Sequence, residues 1–292
     1  EYRGAPFWAW NGKIEPSELR RQIREIYAMG LGGFFMHSRV GLDTAYLSDE
    51  WMDCVRACVE EAAELGMRAW LYDEDRWPSG AAGGLVTRNP EYRQRALVLL
   101  RHEEPQSFEW GENTLGAVTA KIVNTSLTDV RAVTEGTTPE PRPGETLFSF
   151  EVQVAKPSSW YNGYTYLDLL NPAAVREFIR VTHEAYEARF SDEFGKTIPG
   201  MFTDEPQHQA KRYRPLDGDD ATVGRLPWTG NLPEVFRERY GYDLLPHLAE
   251  VFCAQRDQAY SRVRHQYHDC VAFLFSDSFA RQIGEWCERT GM

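Results

Sequence analysis

Short runs of apolar residues alternate along the chain with stretches in which apolar residues recur every three or four positions. The runs predict four strands, near residues 7–10, 33–37, 68–72 and 200–203. The recurring positions predict one helix that ends at Gly30 and a second that runs from the cap Ser48 to Gly66. Because strand, helix and strand in succession make βαβ units, we expect four parallel strands, adjacent in chain order. The strands are apolar throughout rather than alternating, so both faces of the sheet should be buried.

A β-rich segment interrupts this alternation. Turn residues separate its strand patterns, which lie at residues 96–100, 117–123, 130–133 and 147–152. They predict an antiparallel β insertion hanging from the parallel sheet. The domain organisation that follows is 1–95 for the first three βα units, 96–166 for the insertion, and 167–292 for the fourth unit and long helices.

Helical patterns dominate the last part of the chain. They predict a helix over 172–190, a polar loop over 207–230, helices beginning near Leu232 and Leu244, and a long amphipathic helix over 258–289 that carries Tyr260 on its inner stripe. The chain then ends where a fifth strand would begin. Four βα units cannot close an eight-stranded barrel, so we expect the chain to be a segment of a longer one, inactive by itself, with the fourth strand left as an unpaired edge.

Composition removes several classes of function. The 44 acidic residues outnumber the 32 basic ones and give a net charge of −12, which argues against a nucleic-acid partner. No apolar run reaches the roughly 18 residues that a membrane-spanning helix needs. The five cysteines are odd in number and lack zinc-site spacing, so neither a disulfide framework nor a cysteine metal site is expected.

Polar or ionisable residues follow each of the four strands. In parallel α/β folds the carboxyl ends of the strands meet at one edge, so these side chains should converge on one pocket. A pocket rich in carboxylates and tryptophan suits glycoside hydrolysis, in which one carboxylic acid protonates the leaving oxygen and a second carboxylate acts as base or nucleophile. The candidate residues are Trp10, Asn11, His37, Arg39, Asp73, Glu74, Asp75, Arg76, Trp77, Asp204 and Glu205.

Glu205 is the preferred proton donor among these residues. Its apolar strand should desolvate it, and the neighbouring Asp204 disfavours a second negative charge, so both effects favour the protonated form. The alternative interpretation is that Asp204 and Glu205 cap the segment that follows them. The acids at 73–75 need a cation, Arg76 or sugar hydroxyls as partners if they are buried, or else they form a solvated loop.

The remaining candidates also have ordinary alternatives. His37 can hydrogen-bond a sugar hydroxyl or assist a metal, and it can equally be satisfied by backbone groups. Trp10 and Trp77 can stack on a sugar face, whereas Trp51 and Trp70 fit the core better.

Four strings of residues resemble the catalytic barrel of bacterial α-L-rhamnosidase-type glycoside hydrolases, family 106. They are RGAPFWAWNG (3–12), GGFFMHSR (32–39), YDEDRWPSG (72–80) and FTDEP (202–206). The resemblance implies the N-terminal part of a TIM-type (β/α)8 barrel and inverting hydrolysis of terminal α-L-rhamnosides in polysaccharides or glycans. It also implies Glu205 as general acid, calcium as a candidate ion near the sugar, and a periplasmic or secreted bacterial location.

Two other functions remain open from the sequence. One is a retaining β-glycosidase of the galactosidase-like clan, in which Glu205 would have a nucleophile nearby. The other is a non-catalytic carbohydrate-binding remnant, because the water-activating carboxylate of the barrel is expected on a strand later than the fourth. Carbohydrate is the expected partner in every case, and the sequence itself requires no cofactor.

Overall fold

A computed structural model describes residues 2–124, 126–255 and 261–292. The chain divides into two compact units. The first consists of Glu1–Tyr92, Lys156–Gln207 and Phe279–Met292, and the second of Arg93–Ala155 and His208–Ser278. Within the described residues, no helix combines the length and the apolar character needed to cross a membrane.

The chain is mixed α/β. Its strands are β1 (Phe7–Gly12), β2 (Gly33–Leu42), β3 (Arg68–Tyr72), β4 (Arg95–His102), β5 (Thr114–Val123), β6 (Ser126–Ala132), β7 (Thr146–Val154), β8 (Met201–Phe202), β9 (Arg212–Tyr213), β10 (Thr222–Trp228) and β11 (Ala254–Gln255). Its α-helices are α1 (Pro16–Ala28), α2 (Asp49–Leu65), α3 (Pro172–Val181), α4 (His183–Phe190), α5 (Leu232–Tyr240), α6 (Leu248–Phe252), α7 (Arg262–Phe275) and α8 (Gln282–Thr290).

The first unit contains the parallel sheet, and its strand order is β1-β2-β3-β8. Each neighbouring pair is parallel, which confirms the predicted order and direction. The described residues form an open sheet, in which β8 has one strand neighbour, β3. The carboxyl ends of the four strands therefore lie along one edge, as the pattern requires for a shared site.

Strand β2 is longer than predicted. It continues through His37, Ser38 and Arg39 to Leu42, so these three polar residues lie within the strand rather than after it. Gly33 is needed at its start, because a Cβ there would lie 2.5 Å from the Arg68 carbonyl oxygen of β3. The absence of that side chain lets β2 and β3 approach closely.

Helix α2 begins and ends at the residues that the sequence indicated, and α1 ends at Ala28, two residues before the predicted Gly30. The Ser48 hydroxyl caps α2 by accepting a hydrogen bond of 3.2 Å from the Trp51 amide. Gly66 ends α2 in the left-handed conformation, with a φ of +66°, which favours glycine. On α1, Leu19, Ile23 and Ile26 form the buried stripe that the spacing predicts.

Two of the later helices are less continuous than the sequence predicts. The helix expected over 172–190 is two helices, α3 and α4, that meet at Thr182. The long helix expected over 258–289 begins at Arg262 and is interrupted by a π-helical segment, Ser276–Arg281. The predicted first residues of that helix, including Tyr260, lie outside the described residues.

The second unit contains a sheet with strand order β11-β6-β5-β7-β4-β10-β9. Its pairs are antiparallel except for β6 with β11, so the predicted antiparallel strands of the insertion are present. The polar loop predicted over 207–230 is wrong, because Thr222–Trp228 pairs with β4 along its length. Gly224 and Pro227 weaken the strand signal in the sequence, and pairing with the apolar β4 overrides that weakness.

Candidate active site

A cavity of about 410 Å³ opens at the carboxyl ends of the parallel strands in the first unit. It is lined by Ala9, Asn11, Ser38, Arg39, Val40, Arg76, Trp77 and Trp160. Four of the predicted site residues, Asn11, Arg39, Arg76 and Trp77, therefore meet at one place. A layer of acidic side chains adjoins this lining. These side chains follow β3 and β8, and they have other protein groups as partners.

Asp73 lies fully buried in that layer. Its two carboxylate oxygens accept hydrogen bonds of 2.5 Å from the Ser79 and Thr203 hydroxyls. Burial raises the pKa of Asp73 to about 7, although these two hydroxyls oppose the rise. His183 Nε2 lies 3.9 Å away, but burial lowers the pKa of this imidazole to about 3, so it brings no positive charge to Asp73 at neutral pH.

Glu74 is also fully buried and organises the loop that follows β3. Its carboxylate accepts the backbone N–H groups of Asp75, Gly80, Ala82 and Gly83 at 2.5–2.9 Å. Burial raises the pKa of Glu74 to about 8, although the N–H groups of Gly83, Asp75 and Ala82 favour the charged form. Gly83 has a φ of +61°, where a Cβ would lie 3.0 Å from that of Asp75. Glu74 therefore supports the loop and is closed to solvent.

Asp75 links the loop to a distant turn. Its Oδ2 accepts hydrogen bonds of 3.1 Å from both Arg76 Nε and Asn162 Nδ2. Arg76 also bonds the Asn162 side-chain oxygen, and the Ser38 hydroxyl donates to the Asp75 carbonyl at 2.6 Å. These contacts hold the Arg76 guanidinium in the cavity wall.

His37 and Asp204 form a second polar pair beside the cavity. The His37 ring stacks on Tyr72 at a centroid distance of 3.9 Å, and its Nε2 lies 3.6 Å from Asp204 Oδ2. Its Nδ1 lies 2.9 Å from the Ser38 carbonyl, and a carbonyl can only accept, so Nδ1 carries a proton. Burial lowers the pKa of His37. The Tyr72 hydroxyl lies 3.4 Å from the same Asp204 oxygen.

Glu205 is exposed, so the desolvation predicted for it is wrong. It follows the short strand β8 with a φ of +43°, a left-handed conformation that costs a non-glycine residue about 1–2 kcal/mol. Trp77 Nε1 donates a hydrogen bond of 2.8 Å to its Oε2. This hydrogen bond holds the exposed Glu205 carboxylate against Trp77, a residue of the cavity wall.

Two tryptophans form the aromatic part of the wall. Trp77 and Trp160 are 40% and 37% exposed, and their rings meet edge to face at 6.2 Å. Trp160 Nε1 donates to the Trp77 carbonyl, which fixes one ring against the other. Trp10, by contrast, is 1% exposed and packs against Trp51 at 5.0 Å, so its predicted role as a sugar platform is corrected to a core role.

Sequence reasoning missed three residues of this site, namely Tyr72, Trp160 and Asn162. Tyr72 lies within a strand, where the apolar pattern hid it. Trp160 and Asn162 belong to a turn that lies more than eighty residues beyond Asp75 and Trp77. The polar and aromatic string SSWYNGYTY (158–166) was the available signal.

The three consecutive acids do not fit a calcium site. The oxygens of Asp73 and Glu74 are taken by protein donors, and Asp75 accepts from Arg76 and Asn162. These protein donors satisfy the acids without a cation, and the positive Arg76 guanidinium 3.1 Å from Asp75 Oδ2 would repel one. In the described part of the chain, no group of three or more His, Cys, Asp and Glu side chains is arranged to hold a metal ion.

No protein family and no curated protein matches this chain in sequence. Among solved structures, it is similar to a rhamnosidase from Novosphingobium sp. PP1Y, with a TM-score of 0.60 and 14% identity. That alignment covers 99% of this chain and 45% of the rhamnosidase, so the chain spans less than half of that protein. A β-galactosidase from the Antarctic haloarchaeon Halorubrum lacusprofundi aligns at a TM-score of 0.37 and 14% identity, over 95% of this chain and 35% of that one. The first likeness shows a shared fold, and the second is too weak to show one.

Proposed function

We propose that this chain forms part of a glycoside hydrolase that removes terminal α-L-rhamnosides from polysaccharides or glycans with inversion. The observation that carries the proposal is the exposed Glu205 carboxylate, bonded to Trp77 at the wall of a cavity lined by tryptophan and arginine. The shared fold with a rhamnosidase supports it. A TIM-type barrel, of which these four parallel strands would be the N-terminal part, belongs to the same proposal.

Glu205 is assigned the proton transfer because its carboxylate is exposed and bonded to Trp77 at the cavity wall. Asp73 and Glu74 are fully buried and face only protein groups. A general acid must lie within hydrogen-bond distance of the leaving-group oxygen, which excludes an enclosed carboxylate. Glu205 would protonate that oxygen as the bond to the anomeric carbon breaks, while a second carboxylate deprotonates the attacking water.

The second carboxylate is proposed to come from outside the four parallel strands. Asp204 is the other acid at the end of β8, and it already faces His37 and the Tyr72 hydroxyl. In inverting enzymes the two carboxyl groups lie about 6.5–9.5 Å apart, which leaves room for the water. Arg39, Arg76 and Asn11 are assigned to sugar hydroxyls, since they line the cavity with polar groups.

A panel of 4-nitrophenyl glycosides tests the function on the intact natural protein. We expect hydrolysis of the α-L-rhamnoside, with the β anomer of rhamnose appearing first in the ¹H NMR spectrum, because inversion reverses the anomeric configuration. Hydrolysis of only the β-D-galactoside, with retention, would replace this proposal by the galactosidase-like one. Sugar binding without hydrolysis of any glycoside would leave a carbohydrate-binding domain.

Replacing Trp160 with Ala should raise KM for the rhamnoside about three- to tenfold, with kcat nearly unchanged. The ring is exposed in the cavity wall, and contact with an apolar sugar face contributes about 0.5–1.5 kcal/mol to binding. Trp110→Ala is the matched control, because Trp110 Nε1 also donates to a backbone carbonyl but lies in the second unit. Equal effects of the two substitutions on KM would remove Trp160 from the sugar site.

A further inference from the structure

The second unit contains a cavity of its own, of about 410 Å³. Its lining is mostly apolar and consists of Leu99, Asn124, Tyr213, Arg214, Pro215, Leu216, Asp217, Val223, Phe252, Cys253 and Arg264. A volume of this size lies at the lower end of the range for small-molecule sites. None of the residues assigned above to glycoside hydrolysis contributes to it, so any ligand here would be additional to the sugar substrate.

Arg264 supplies a polar group to this apolar cavity. Its Nε donates to the Val251 carbonyl at 2.9 Å, which fixes the guanidinium plane. Its Nη2 is buried, and no hydrogen-bond acceptor reaches it from residues 2–124, 126–255 or 261–292. A buried donor without an acceptor costs about 1–3 kcal/mol, and more when it is charged, so a negative charge close to this guanidinium would be stabilised.

The surroundings of Arg264 are positive, although the chain as a whole carries −12. Burial, the largest cause, and four neighbouring basic groups together lower the pKa of His268 to about 4; these groups are Lys211, Arg264, His208 and His265. Because the chain has more acidic than basic residues, this grouping of basic side chains is a result of the fold and not of the composition. The acid in the cavity lining, Asp217, is exposed, and Asp220 already pairs with Arg214.

We propose that this cavity binds an organic anion in which one carboxylate is joined to a flat apolar body of about ten to fifteen non-hydrogen atoms. The carboxylate would accept from the part of the Arg264 guanidinium that lines the cavity, and the body would lie against Phe252, Leu216 and Val223. A carboxylate fits better than a phosphate dianion because Arg214, the second guanidinium in the lining, is already neutralised by Asp220. The Cys253 thiol does not add charge, since burial raises its pKa to about 12.

Titration calorimetry on the intact protein with three probes tests this site. The probes are 4-hydroxycinnamate, its neutral methyl ester and inorganic phosphate. We expect the acid to bind at least tenfold more tightly than the ester, because only the acid offers a charged acceptor to Arg264. Phosphate should bind more weakly than the acid, since it lacks an apolar body. Absence of binding by the acid, or equal binding of acid and ester, would overturn the proposal.

Two substitutions then place the binding in this cavity. Arg264→Met should weaken binding of the acid about ten- to a hundredfold, whereas Arg262→Met, an exposed arginine on the same helical turn, should leave it unchanged. Asp217→Asn removes a negative charge from an exposed position of the lining and should strengthen binding about two- to fivefold. Because Asp217 is exposed, Asp217→Asn keeps every buried contact and tests the site even if Arg264→Met does not fold. Unchanged affinity in Asp217→Asn together with unchanged affinity or loss of folding in Arg264→Met contradicts the proposal.

Discussion

Replacing Glu205 with Gln is expected to lower kcat for rhamnoside hydrolysis by about 10²- to 10⁴-fold, the range typical of losing a general acid or base. Gln is nearly isosteric and can still accept a hydrogen bond from Trp77 Nε1, so the cavity wall should keep its geometry. The Gln amide is not an acid, so it cannot transfer a proton to the leaving oxygen. Steady-state kinetics of the intact natural protein measures the effect.

The leaving group makes this prediction specific for proton donation. A poorly leaving alcohol needs its oxygen protonated more than 4-nitrophenolate does, so the decrease should be larger for methyl rhamnoside than for the nitrophenyl substrate. Glu64→Gln is the control, because Glu64 is exposed near the end of α2, before β3 begins, and so lies away from the carboxyl ends of the strands. A decrease of less than tenfold, or an equal decrease for both leaving groups, would take the role of proton donor away from Glu205.

The second large effect concerns stability and is centred on Asp73. Its pKa is raised from 3.8 to about 7 in the folded protein, chiefly by burial. Between these pH values the folded state binds more protons than the unfolded state, so stability falls as pH rises from about 4 to about 7. At 1.36 kcal/mol per pKa unit, the full loss is about 4 kcal/mol above pH 7.

Asp73→Asn should remove that pH-dependent loss. The amide oxygen can accept from the Ser79 hydroxyl, and the amide nitrogen can donate to a rotated Thr203 hydroxyl, so both hydrogen bonds are kept. We therefore expect the variant to resemble the wild type at pH 4 and to be about 4 kcal/mol more stable at pH 8. Urea unfolding of both proteins between these pH values measures the difference. Parallel stability curves would show that Asp73 is ionised throughout.

The parallel part of the fold could be predicted from the sequence because its signals are local. Apolar runs specify strands that are buried on both faces, and Ser48 and Gly66 specify where α2 begins and ends. Parallel neighbours joined by helices follow from βαβ connection rules, which need no knowledge of side-chain contacts. The same local signals could not predict β10, where pairing with β4 decided the structure against the weak strand propensity of Gly224 and Pro227.

The sequence by itself determined that acidic and aromatic residues would gather at the carboxyl ends of four parallel strands. Only the tertiary structure decided which of them face the cavity. Residues of the same short segment differ in their environment, since Asp73 and Glu74 are enclosed while Trp77 is exposed. Their directions depend on partners far along the chain: Thr203 for Asp73, and Glu205 and Trp160 for Trp77. A pattern of polar and apolar positions records how much each residue prefers water, but not which distant group will satisfy its hydrogen bonds once the chain has folded.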